Sequence, residues 1–365
     1  MLKLWGESMK RINKLLEIMK EKEVDGFLVS SESNVTYLSG FTGDSSYLVV
    51  SAQGGMFFTD GRYTEQAAKQ CHDGIEVIKW IENKRNGVES YSHAVKSLGI
   101  KRLGFEGSAM NFSTYKTLSD GMKDVEFVSL SNMVESLRMV KDEEEISCLR
   151  TACEISDRAL ELTVPYIKQG VTEMELIARL EFNLKSNGAE GLSFDSMILS
   201  GAKTSLLHGK PDAKRLEHGD YILFDFGALY KGYHADISRT FILGEADEKQ
   251  RELYDIIQRA EMESIMTLKS GISAQVPDQK VRDIIPEKYI QYYYPGLGHG
   301  VGLQVHEDPS FAQTSQFTIK ENMTVTIEPG IYIPEWGGLR IEDTILVTED
   351  GSEILNKFSR DLTIL

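Results

Sequence analysis

Four acidic residues interrupt otherwise apolar strand-like runs in the second half of this chain, and they do so as two matched pairs. Segment 220–240 reads as two strands around a short loop bracketed by Gly227 and Gly232. A hairpin symmetric about Tyr230 and Lys231 sets Asp225 opposite Asp236. A second hairpin, 323–332 and 338–347 around a Pro/Gly-containing turn, is centred on Glu335 and sets Glu328 opposite Glu342. Directly opposed residues have Cβ atoms roughly 4.5–5.5 Å apart, so two ionised acids there repel each other. The neighbours Ile222, Phe224, Val325, Ile327, Ile345 and Val347 make burial of a free anion costly as well. A solvent-facing position on an amphipathic strand explains any one of these acids. Two matched pairs call for a cation.

His299 lies in the glycine-dense run 295–307, which indicates close approach of the backbone to something. The run is not a dinucleotide fingerprint, because Val301 or Leu303 falls where the last glycine must stand. His306 and Glu307 do not open a zincin helix, because Ser310 stands where its second histidine belongs. Asp225-Phe226-Gly227 occurs without the HRD loop of a kinase. Four carboxylates and one imidazole suit Mn²⁺, with Co²⁺, Fe²⁺ or Zn²⁺ as alternatives. Four carboxylates exceed what one dication needs and match two, spaced to clamp a bridging water.

A formal charge of −16 argues against a polyanion as partner, since nucleic-acid binding needs clustered Lys and Arg. Three cysteines, Cys71, Cys148 and Cys153, without CxxC spacing, read as thiols in a reducing compartment. Residues 1–23 mix Lys and Glu with Ile12, Leu15, Leu16 and Met19 at helical spacing, which fits neither a signal peptide nor a membrane span. A cytoplasmic location is expected.

From 9 to 130, strand-like runs at 24–30, 47–51, 56–59 and 102–106 alternate with helical runs at 11–22, 62–70 and 90–98. That alternation is α/β. A charged stretch at 141–145 opens a long helix. Thr172 and Glu175 form a capping box for a second, with Met174, Ile177, Ala178, Leu180 and Leu184 as its apolar face. Beyond 193 strands dominate, broken by helices near 247–269 and 276–290. The expected division is 1–133 and 134–365, in the α/β (α+β) class.

These motifs resemble the pita-bread metallopeptidases, which include methionine aminopeptidase, aminopeptidase P, prolidase and creatinase. The similar segments are 223–240 (LFDFGALYKGYHADISRT), 298–307 (GHGVGLQVHE), 326–332 (TIEPGIY) and 337–343 (GGLRIED). The run 34–41 (NVTYLSGF) and 58–63 (FTDGRY) resemble the N-terminal domain of the creatinase, prolidase and aminopeptidase P branch. The resemblance implies a creatinase-like N-terminal domain followed by a pita-bread catalytic domain. It implies metal ligands at Asp225, Asp236, His299, Glu328 and Glu342, all five present. Creatinases lack the metal ligands, so the intact set argues against that activity.

The implied activity is hydrolysis of the N-terminal Xaa-Pro bond of short peptides, as dipeptidase or aminopeptidase, by a homodimer. By the same resemblance Glu328 shuttles the proton, and His208 and His306 contact the substrate and steady the tetrahedral intermediate. Arg340 pairs with the substrate or with a metal-binding carboxylate, and Phe194 lines the channel. Many proline-specific members carry a second histidine where this chain has Pro295. The rival expectations are an inactive peptide-binding module and a metallohydrolase of small non-peptide amides.

Overall fold

In the computed structural model, which describes residues 9–79 and 87–365, the chain divides into two units, 1–138 and 139–365. The first is built on a six-stranded mixed sheet. Its strands are β1 (Gly26–Val29), β2 (Ser46–Ser51), β3 (Gly54–Thr59), β4 (Ile75–Lys79), β5 (Arg102–Glu106) and β6 (Glu126–Leu130), in the order β4-β3-β2-β1-β5-β6. Antiparallel pairing joins β1, β2 and β3, and the outer pairs are parallel. Helices α1 (Lys10–Glu21), α2 (Glu32–Ser39), α3 (Thr64–Gln70), α4 (Gly87–Ser97), α5 (Phe112–Gly121) and α6 (Glu135–Arg138) complete it. The helical spacing read near the N-terminus is the buried face of α1: Ile12, Leu15, Leu16 and Met19 all face inward.

The second unit opens with α7 (Glu143–Thr163) and α8 (Glu173–Ser186), each started by a reciprocal capping box, Asp142 with Glu145 and Thr172 with Glu175. The buried face of α8 differs from the expected one. Leu176, Ile177, Leu180 and Leu184 face inward, but so does Glu173, while Met174 and Ala178 are exposed. The reason is the Glu173 carboxylate, which accepts bonds from Ser200 N (2.8 Å), Ser200 Oγ (2.9 Å), Lys203 Nζ (2.6 Å) and Asp212 N (3.0 Å). A buried carboxylate so satisfied is stable where a free one is not.

Next come β7 (Gly191–Leu192), β8 (Met197–Ser200), β9 (Tyr221–Phe226), β10 (Ala228–Tyr230), β11 (Tyr233–His234) and β12 (Ile237–Ile242). They form two three-stranded sheets, β11-β10-β7 and β12-β9-β8. Helix α9 (Glu248–Ile265) follows, capped by Asp247 and Gln250. The single helix expected at 276–290 is two, α10 (Gln275–Ile284) and α11 (Glu287–Ile290). Pro286 separates them: it cannot donate to the helical ladder and pushes Ile285 to an extended conformation, ψ 121°.

The C-terminal strands are β13 (Gly298–Gly300), β14 (Glu307–Phe311), β15 (Thr324–Ile327), β16 (Gly330–Ile333), β17 (Gly337–Arg340), β18 (Asp343–Val347) and β19 (Ser352–Ile354). Five make the sheet β14-β13-β15-β18-β19, and β16 pairs with β17. Two apolar clusters organise this unit. One gathers α7, α8 and the β8-β9-β12 sheet around Leu160, Leu180, Phe224 and Phe241. The other gathers α9, α10 and the C-terminal strands around Ile257, Val281, Val325 and Ile345. A bridge between Ser238 of β12 and Glu342 ties the strands of the two clusters together, and the acids lie at that seam.

Candidate metal centre and its cavity

The hairpin of Glu328 and Glu342 has the expected register. Ile327 pairs with Asp343 on one side of the acids and Gly330 with Arg340 on the other, so Glu328 and Glu342 stand at equivalent positions. The two backbones part at the acids. Glu328 N donates to Leu297 O (2.9 Å), and Glu342 N donates to Ser238 O (3.2 Å). Each acid's backbone is thus held by a residue outside its own hairpin.

The first hairpin corrects the expected register. Asp225 faces Ser238, not Asp236, and Tyr230 pairs with Tyr233. The cause is the turn. Lys231 (φ 48°) and Gly232 (φ 79°) both adopt left-handed conformations and close a two-residue loop of the kind that matches strand twist. Its centre lies one residue further along than the symmetric reading places it. The partner of Asp225 therefore moves by two residues, which leaves Asp236 and Ser238 on the same face.

Asp225, Asp236, His299, Glu328, Glu342, Arg340, His208, His306 and Phe194 all line one cavity of about 690 Å³. One donor atom each from Asp236, His299 and Glu342 lie within 4.8 Å of one another. His299 Nε2 is 3.7 Å from Asp236 Oδ2 and 3.4 Å from Glu328 Oε1. On the other side of the ring, Nδ1 is 3.0 Å from Gly300 O. A carbonyl can only accept, so Nδ1 carries the proton and Nε2 presents its lone pair to the acids. Burial lowers the His299 pKa to about 4, with the nearby His306 adding to the effect, so the ring is neutral. A lone pair facing carboxylate oxygens is repulsive unless a cation or a proton lies between them.

Glycine permits this placement. A Cβ on Gly298 would sit 2.1 Å from Thr326 O, and one on Gly300 would sit 2.2 Å from Asp308 O. The close approach indicated by the glycine-dense run is therefore of β15 and β14 onto the strand that carries His299.

The acids are short of positive charge. Burial holds the Asp236 carboxyl well above its ordinary range, and Glu342, Asp225 and Glu328 push the same way. The Glu342 carboxyl is likewise raised well above its ordinary range, by burial and then by Glu328 and Asp225. Glu328 is pushed up to about 7 by burial, against the pull of Arg340. Asp236 Oδ1 is buried with no hydrogen-bond partner among the described residues. Unpaired donor atoms, a neutral imidazole lone pair and like-charged carboxylates together fit a divalent cation.

Arg340, 4% exposed, is already engaged. Its Nη2 donates to Asp225 Oδ2 (2.5 Å), its Nε to Ser238 Oγ (2.8 Å) and its Nη1 to Tyr332 OH (2.8 Å). Ser238 in turn donates to Glu342 Oε2 (2.6 Å). Sequence reasoning missed Ser238 and Tyr332. The signal for Ser238 was its spacing of two from Asp236, which puts both on one strand face. His306 lies with its ring 4.3 Å from that of His299, in an edge-on arrangement, and burial lowers its pKa.

The chain is similar to known proteins along most of its length. Residues 147–349, more than half of the chain, match Metallopeptidase family M24, and residues 11–140 match the Creatinase/Prolidase N-terminal domain. The Xaa-Pro dipeptidase of Pyrococcus horikoshii is 36% identical over 354 residues, covering 96% of this chain and 98% of that protein. The solved structure of an Xaa-Pro dipeptidase from Bacillus anthracis is 39% identical, with a TM-score of 0.94 over 98% of this chain and 100% of that one. An X-Pro aminopeptidase structure from Thermotoga maritima is 35% identical, with a TM-score of 0.89 over 97% and 99%. The chain belongs to metallopeptidase family M24, and with that membership come divalent metal ions.

Proposed function

We propose that this protein hydrolyses the N-terminal Xaa-Pro bond of short peptides, with two divalent ions held by Asp225, Asp236, His299, Glu328 and Glu342. The observation that carries the proposal is the convergence of Asp236, His299 and Glu342 donors within 4.8 Å, in a cavity that Asp225 and Glu328 also line. Manganese suits the carboxylate-rich set, with cobalt, iron or zinc as alternatives. When bound, such ions polarise the scissile carbonyl and make water acidic enough to attack near neutral pH.

The chain's own groups supply the remainder. Glu328 accepts the proton of the attacking water and passes it to the leaving nitrogen. His208 and His306, both in the cavity lining, donate hydrogen bonds to the oxyanion as it forms. Arg340 holds Asp225 in place. Phe194, Met197, Leu207, Pro211 and Tyr294 offer an apolar wall for a pyrrolidine ring. The proline preference draws its support from relatives named Xaa-Pro dipeptidase. The proposal extends to residues 134–365 as catalytic domain, residues 1–133 as its creatinase-like companion, a homodimer, and a cytoplasmic location consistent with three unpaired cysteines.

The test is hydrolysis of Ala-Pro against Ala-Ala by Mn²⁺-loaded protein, with elemental analysis after removal of free metal. Preference for Ala-Pro with close to two ions per chain is expected. Preference for Ala-Ala defeats the substrate reading, and a stoichiometry that never exceeds one defeats the dinuclear one.

A further inference from the structure

The engagement of Arg340 has a consequence for the far end of the substrate. Asp225, Ser238 and Tyr332 take three of the five N–H donors of Arg340, one on each nitrogen, and the residue is buried. The cavity lining contains one lysine, Lys210. It is exposed and makes no hydrogen bond or ion pair among the described residues.

Its backbone, by contrast, is well held. Gly209 N donates to Leu206 O (3.1 Å), and Gly209 lies so close to Leu199 that a Cβ there would be 2.7 Å from Leu199 Cδ1. Two residues beyond Lys210, Asp212 N donates to Glu173 Oε2, and Glu173 also holds Ser200. Both feet of the segment that carries His208 and Lys210 thus rest on one buried carboxylate.

The lining is polar in one further place. Ser196, 6% exposed and part of the lining, has a buried hydroxyl with no partner among the described residues. A buried hydroxyl left unsatisfied costs free energy until a ligand pairs with it. Next to it in the chain, Asp195 is exposed and makes no hydrogen bond or ion pair among the described residues. Among the described residues, the lining therefore carries a lysine and an aspartate, Lys210 and Asp195, that engage no other group. A free dipeptide is a zwitterion. Extending it by one residue, or amidating it, replaces the carboxylate after proline with a neutral group.

We propose that Lys210 anchors the C-terminal carboxylate of a dipeptide substrate, so that the enzyme selects free dipeptides over extended or C-terminally blocked ones. This rests on the peptidase reading above. A lysine suits the role: its four-carbon stem lets the ammonium follow the carboxylate while the backbone stays fixed. A charge-assisted hydrogen bond at a partly exposed position is worth roughly tenfold in kcat/KM.

The test uses the Mn²⁺-loaded full chain and reads the ratio of kcat/KM for Ala-Pro to that for Ala-Pro amide. The expected ratio is about ten or more in wild type, close to one in Lys210→Met, retained in Lys210→Arg, and below one in Lys210→Glu, with the change in KM rather than kcat. A ratio unmoved in Lys210→Met and Lys210→Glu overturns the proposal, as does a wild-type ratio near one. If wild type cleaves neither proline substrate, the Xaa-Pro reading fails separately. The same ratio measured with Ala-Ala and Ala-Ala amide then decides Lys210: collapse in Lys210→Met supports the anchor, and an unmoved ratio overturns it.

Discussion

Replacing Arg340 with Met separates a structural cation from a substrate-binding one. The substitution keeps an unbranched apolar stem and removes the guanidinium. Three hydrogen bonds vanish, one of them charge-assisted to Asp225, and the nearest fixed positive charge to Glu328 (4.0 Å) and Glu342 (3.9 Å) goes with them. Breaking one partner out of a buried ion pair costs about 3–5 kcal/mol, because the remaining charge stays desolvated. For a unit of this size each kcal/mol lowers Tm by about 2–4 °C, so the chelated variant should melt roughly 10 °C below chelated wild type. Asp225, deprived of its partner, becomes harder to ionise and so a poorer metal ligand. Metal content should fall, and kcat/KM for Ala-Pro and for its amide should fall together. Differential scanning calorimetry with a chelator, elemental analysis and the two substrates measure all three. A variant with wild-type Tm and metal content that loses only Ala-Pro cleavage would refute the reasoning, since Arg340 would then be the carboxylate anchor.

Three further outcomes are expected. His208→Ala and His306→Ala should each lower kcat roughly a hundredfold while elemental analysis finds wild-type metal content, since neither is in the ligand set. Gly298→Ala should cost about 3 kcal/mol in urea unfolding and lower metal occupancy, because its methyl meets Thr326 O on the strand beside His299. For chelated protein, the buried carboxyls of Asp236 and Glu342 have raised pKa values, and Glu328 is raised to about 7. Acids raised on folding contribute stability below their unfolded pKa, near 4, and lose it as pH rises through the folded values. The Tm of the chelated protein should therefore fall between pH 6 and pH 8; a Tm that rises over that range contradicts the picture.

What sequence alone could supply followed from local rules. The acids of the second hairpin were placed correctly because the turn at Glu335 (φ 61°) sits at the centre of symmetry of the two strands. The first hairpin was displaced because nothing in the apolar pattern distinguishes a turn centred after Tyr230 from one centred after Lys231. Gly232, able to take φ > 0 without strain, was the clue. The displacement did little harm: a strand repeats its faces every second residue, so a two-residue change of partner leaves the acids pointing the same way. The break at Pro286 is legible too, because a residue without an N–H cannot continue the helical ladder.

Tertiary structure alone decided which cation serves which anion. Arg340 and Asp225 are 115 residues apart, Arg340 and Ser238 are 102 apart, and Glu173 reaches Asp212 across 39. Periodicity and turn chemistry act over a few residues and carry no information about such pairs. Motif reading can therefore nominate Arg340 as a cation of the site. That it faces Asp225, while Lys210 in the lining engages no other group among the described residues, follows only from how the two apolar clusters bring β12, β17 and the loop after β8 around one cavity.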